Sequence, residues 1–107
     1  MTSTMLLHEM PPAQVRATLA EAHRVLAPGG WMVHLDFLPP DDELLAWLHA
    51  GHAKRNNEPY MATLAAMDIG GAIAAAGFDG VEISDFEEAP GALALAGKKW
   101  RFPWTLI

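Results

Sequence analysis

Arg24-Val25-Leu26-Ala27-Pro28-Gly29-Gly30-Trp31-Met32-Val33-His34-Leu35-Asp36-Phe37 reads as the end of a helix, a tight turn and a strand. Pro28 presets one turn position, and Gly29 can supply the positive φ that a type II turn requires at the next. The run 31–37 is apolar on both faces except at His34 and Asp36, the pattern of a short strand covered from both sides in a parallel sheet. Pro39-Pro40 stops it. Upstream, Pro11-Pro12 suits a helix start, because the first turn has no use for the missing N–H and the fixed φ is already helical. Val15, Leu19, Ala22 and Leu26 then fall on one helical stripe opposite Gln14, Arg16 and Glu21.

Downstream, Asp41 or Asp42 can cap a second helix carrying Leu44, Leu45, Trp47 and Leu48 to about His52, followed by a polar loop 54–58. Pro59 opens a short helical piece through Met61, Leu64 and Ala65. Asp68 is a cap for a further segment that ends at Ala76, with Gly77 as its terminator. The pattern then changes to two strands, 81–86 and 92–99, joined by a turn at Ala89-Pro90-Gly91 and therefore antiparallel. The aromatic tail from Trp100 to Trp104 has no evident period. Helix, strand, helices, strand, strand imply a single α/β domain over residues 1–107.

The 107 residues are 51% hydrophobic and carry a net charge of −6, enough apolar content for a real core. Acidic side chains outnumber basic ones in both halves, so neither offers the basic face that nucleic acid or an anionic membrane surface would need. Cysteine is absent, which excludes disulfide scaffolds, thiolate zinc sites and cysteine nucleophiles. Apolar stretches are interrupted well short of the roughly 20 residues that cross a bilayer. The expectation is a soluble, cytoplasmic protein.

Three segments taken together resemble the class I S-adenosylmethionine-dependent methyltransferases: Leu6-Leu7-His8-Glu9-Met10-Pro11, the helix ending in Arg24-Val25-Leu26-Ala27-Pro28-Gly29-Gly30, and the apolar strand that carries Asp36. Ala75-Ala76-Gly77-Phe78 followed by Val81 looks like that family's last helix and sixth strand, and 92–99 like its antiparallel seventh. The resemblance covers nearly the whole chain but only the C-terminal half of the family fold. It implies an incomplete Rossmann-like sheet without the glycine-rich loop and the acidic residue that hold most of the cofactor. Gly70-Gly71 does not replace that loop, since a helix cap precedes it rather than a strand.

On the same resemblance, Ser3 and Thr4 lie near the methionine part of S-adenosylmethionine, and His8 and Glu9 near the transferred methyl or a small-molecule acceptor. Tyr60, Met61 and Met67 fall in the segment that covers the acceptor. His8 has the pKa range of a general base, although His8 and Glu9 can equally lead into the helix and face water. Asp36, on a buried strand, should find a partner or line a cavity, which makes it a candidate catalytic residue on the substrate side; equally it can cap a nearby backbone or emerge into solvent. His34 reads as a satisfied core histidine. His49 and His52 share one side of a helix, but two ligands are not a metal site, and a third would have to come from His8, His23 or Asp36. No metal site is assigned.

The functional expectation is a methyltransferase-like chain, inactive alone or dependent on another chain for the missing N-terminal half. An unpaired apolar edge on the 31–37 strand would make it a homodimer. The alternatives are a non-enzymatic assembly module using that edge and the 100–104 tail, and a small metal-dependent enzyme using His49 and His52.

Overall fold

The computed structural model of the chain describes residues 1–38, 43–85 and 104–107. Strand β1 (Thr2–Thr4) leads through a one-turn 3-10 helix (Leu7–Glu9) into α1 (Pro12–Val25) and back to β2 (Val33–Phe37). Helices α2 (Glu43–Arg55), α3 (Met61–Ala66) and α4 (Ile69–Ala75) follow, then β3 (Ser84–Asp85) and β4 (Trp104–Leu106). The described strands form one sheet in the order β1-β2-β4-β3. β1 and β2 are parallel, while β4 is antiparallel to both β2 and β3. The molecule is a small α/β fold.

Local chemistry accounts for the first half. α1 begins at the double proline and buries Val15, Leu19 and Ala22, the stripe read from the spacing. The Gly30 N–H donates to the Ala27 carbonyl across a turn in which Gly29 has φ +80°. α4 is capped as expected, with the Asp68 carboxylate accepting from the Gly71 N–H. Gly77 ends it at φ +107° and admits His23, which would stand 2.8 Å from a Cβ there. His23 and Phe78 then meet edge-on at 5.2 Å between ring centroids.

Several expectations need correction. α2 runs through Lys54 and Arg55, which belong to the helix rather than to the polar loop. Its end is closed by Asn57 in the left-handed region and by the Glu58 N–H donating to the Ala53 carbonyl, the pattern of a Schellman cap. Of the α2 side chains read as an apolar face, Leu44 and Trp47 are exposed, whereas His49 and Ala53 are buried. Among the described residues, the expected 81–86 strand is reduced to Ser84–Asp85 (β3), which pairs antiparallel with 104–106. The expected caps at Asp41 or Asp42, the stop at Pro39-Pro40, the turn at 89–91 and the strand at 92–99 lie outside the described residues. The parallel sheet among the described residues is the single pair β1 and β2, which falls short of a Rossmann-like sheet.

The apolar edge expected on the 31–37 strand is also not there. β2 is flanked by β1 on one side and β4 on the other, and its register with β4 is continued by His34 and Ile107, which exchange both backbone hydrogen bonds at 2.8 Å. The outer described strands, Thr2–Thr4 and Ser84–Asp85, are short and polar. Short polar edges template strand addition poorly.

The main core joins Leu7, Val15, Leu19, Leu64, Ile69, Ile73 and Ile107, linking α1, α3 and α4 to both chain ends. A smaller cluster of Phe37, Ala53 and Met61 ties β2 to α2 and α3. Met61 is therefore a core residue, and α3, with Met61 in one cluster and Leu64 in the other, packs against the 3-10 turn. No helix among the described residues is long and apolar enough to cross a membrane.

Candidate functional site

Alternation along β2 puts His34 and Asp36 on one face. Both are fully buried, an unusual pair of residues to bury and one that demands partners. The parallel register sets Ser3 opposite His34, and the Ser3 hydroxyl meets His34 Nδ1 at 2.5 Å. The hydroxyl assigned to a cofactor by resemblance is thus engaged inside the sheet, while Thr4 is exposed. His34 is a core histidine as expected, although its Nε2 has no hydrogen-bond partner among the described residues.

Asp36 finds three donors. Its Oδ2 accepts from the Leu7 N–H at 2.7 Å, and its Oδ1 from the Phe37 N–H at 2.8 Å and from His8 Nδ1 at 2.6 Å. The chain reaches this arrangement because Met5, just past β1, takes φ +55°, a region that residues other than glycine seldom adopt. That kink turns the backbone from the end of β1 into the 3-10 helix and directs both the Leu7 N–H and the His8 ring at Asp36. Local strain of this kind concentrates at functional sites. Since the carboxylate accepts from Nδ1–H, the neutral His8 ring presents its lone pair at Nε2.

His8 is 1% exposed, and its ring lies against Phe37 at 5.2 Å between centroids. Nε2 is buried, has no hydrogen-bond partner among the described residues, and stands 3.5 Å from Oε1 of Glu9, whose side chain is 60% exposed. Tyr60 sits at the N-cap of α3, partly exposed, and its carbonyl accepts from the Thr63 hydroxyl. The pair His8 and Asp36, named from separate segments, therefore comes together at the carboxyl ends of two adjacent parallel strands, where open α/β sheets carry their ligands.

Glu58 escaped the sequence reading, and His49, paired there with His52, proves buried. Glu58, placed in a polar loop, closes the α2 cap and buries its Oε2 without a partner among the described residues. His49 is buried with Nε2 likewise unpartnered, and with Glu58 it lines a groove of 610 Å³ between α2 and α3. The one usable signal was Pro59, which restricts the backbone of the residue before it and so holds Glu58 in place.

Burial holds the His34 imidazole below the ordinary histidine range, with Asp36 opposing the shift and the N-terminal ammonium adding to it. Burial does the same to His49, where His52 and His8 add to the shift and Glu58 opposes it. A histidine that resists protonation only when folded leaves the unfolded chain binding more protons, so stability falls as pH drops below the unfolded value of about 6.5. Melting curves between pH 7.5 and 5.5 should show this decline, with a shallower slope in His49→Gln. A flat profile in the unaltered chain would contradict the assignment.

These features define the class: a small α/β protein with a buried histidine–aspartate pair at the carboxyl ends of its parallel strands. Beyond the class, no protein-family model, curated protein or solved structure matches the chain.

Proposed function

We propose that this chain is the C-terminal, acceptor-side part of an S-adenosylmethionine-dependent methyltransferase-like fold, with His8 as the general base and Asp36 as the group that orients it. The observation that carries the reading is the hydrogen-bonded contact between His8 and Asp36 at the ends of β1 and β2. The parallel β1–α1–β2 unit supports it as well.

Methyl transfer forms a bond from an acceptor oxygen or nitrogen to the methyl carbon as the carbon–sulfur bond breaks and its electron pair passes to sulfur. The acceptor proton goes to His8 Nε2, and Asp36 stabilises the imidazolium that results. Phe37 and the Leu7 backbone hold the pair in position, which is the larger part of catalysis in a displacement of this kind. Glu9 and Tyr60, exposed beside this region, are the acceptor contacts. Thr4 remains for the donor, because Ser3 is bound to His34.

The glycine-rich loop that would hold most of the donor is not among residues 1–107, so efficient turnover would need that element supplied from outside them. A second reading, an assembly module without chemistry, draws on Trp31 and Trp47, which are 79% and 69% exposed and project apolar surface into solvent.

Calorimetry with S-adenosylmethionine separates the two. A retained donor pocket should give saturable heat with a Kd of roughly 1 mM or tighter, the equivalent of about 4 kcal/mol. No heat at that ligand concentration would leave the assembly module.

A further inference from the structure

The fold brings together three ligand-type side chains that sequence spacing does not join. His8 Nε2 and carboxylate oxygens of Glu9 and Glu58 all lie within 4.8 Å of one another. His8 Nε2 and Glu58 Oε2 are both buried without a hydrogen-bond partner among the described residues. Buried polar atoms are seldom left unpaired, and a native exception calls for an ion, a water or a catalytic role.

We propose that His8, Glu9 and Glu58 form a binding site for a divalent transition-metal cation of the zinc type. The His8 ring is already set for it. Asp36 accepts a hydrogen bond from Nδ1–H, which fixes the tautomer and leaves Nε2 as the free lone pair, the carboxylate–histidine arrangement found behind metal-bound imidazoles. The 3.5 Å between His8 Nε2 and Glu9 Oε1 is close to the roughly 3.4 Å edge of a tetrahedron with bonds of about 2.0–2.1 Å. Two carboxylates and a neutral imidazole also match the charge of a divalent ion, whereas the two carboxylates alone would repel each other.

The chemistry of the donors narrows the ion. An imidazole nitrogen suits zinc and the neighbouring transition metals, while calcium and magnesium prefer oxygen-only shells. Three protein ligands leave one tetrahedral position open, as in catalytic rather than structural zinc sites. Glu58 also lines the groove between α2 and α3. The site does not rest on methyl transfer and competes with it for one lone pair, since a cation on Nε2 leaves no base there; each reading is tested by its own ligand.

The test uses the untagged chain stripped with a chelator and titrated with Zn²⁺ by calorimetry, then with Co²⁺ followed by its visible absorption. One ion per chain is expected, with the intense bands of a tetrahedral cobalt site. Glu9→Gln and Glu58→Gln should each weaken binding tenfold or more, as even outer-shell changes do at metal sites, while His52→Ala should leave it unchanged. The melting temperature of each variant reports folding. If Glu58→Gln does not fold, Glu9→Gln at an exposed side chain still decides. No saturable binding at roughly 0.1 mM metal, or binding that survives both glutamine variants and disappears in His52→Ala, would overturn the proposal.

Discussion

Asp36→Ala is expected to lower stability by about 3–5 kcal/mol, because one buried acceptor is removed from several donors at once. The loss reaches beyond the contact with His8. The Leu7 N–H, the Phe37 N–H and His8 Nδ1–H all donate to this carboxylate. Without it three buried donors lose their acceptor together, and each such orphan costs about 1–3 kcal/mol. Against a typical total of about 5–15 kcal/mol, the variant should be close to unfolding at room temperature. Asp36→Asn should recover only part, because its amide keeps one acceptor oxygen and turns two further donors toward groups that are themselves donors. Urea denaturation of the three proteins measures this directly. A loss below about 1 kcal/mol for the alanine variant would mean that Asp36 does not anchor these donors.

Phe37→Ala should cost about 3–5 kcal/mol, whereas Trp47→Ala should stay within about 0.5 kcal/mol of the unaltered chain. Hydropathy alone would reverse that order, since Trp47 is the larger side chain on a helix rich in leucine. Phe37 is buried against Ala53 and Met61, so its ring connects β2 to α2 and α3 while also packing on His8. Its truncation opens a cavity at the one place where sheet, helices and candidate base meet. Trp47 is largely exposed and belongs to neither buried cluster among the described residues. Thermal denaturation at low micromolar protein gives the comparison. A larger loss for Trp47→Ala, or one that grows with protein concentration, would instead identify α2 as a surface that works in contact with another chain.

The legible part of the fold was the part written in local chemistry. The stripe Val15, Leu19 and Ala22, the Pro28-Gly29 turn and the Asp68 cap depend on neighbours within a few residues, and all three form as read. The last strand was not legible. Residues 104–106 pair with β2 and β3 from far along the chain, and a short aromatic segment without alternation carries no period to announce it. The exposure of Leu44 and Trp47 was hidden for a related reason: helical spacing says which residues share a face, but only the packing partner says which face is covered.

The candidate site divides along the same line. Sequence by itself marked Asp36, on a largely buried strand, as a carboxylate that had to find a partner, line a cavity or emerge into solvent, and His8 as a residue of the base type that could equally face water, because burial cost and side-chain chemistry are properties of single residues. Tertiary structure alone decided that each is the other's partner across 28 positions, that Ser3 spends its hydroxyl on His34, and that Glu58 arrives beside His8 and Glu9. Those meetings are set by strand register, by the left-handed turn at Met5 and by the cap that ends α2. Each of these brings distant side chains within a few ångströms without leaving a periodic trace in the order of the amino acids.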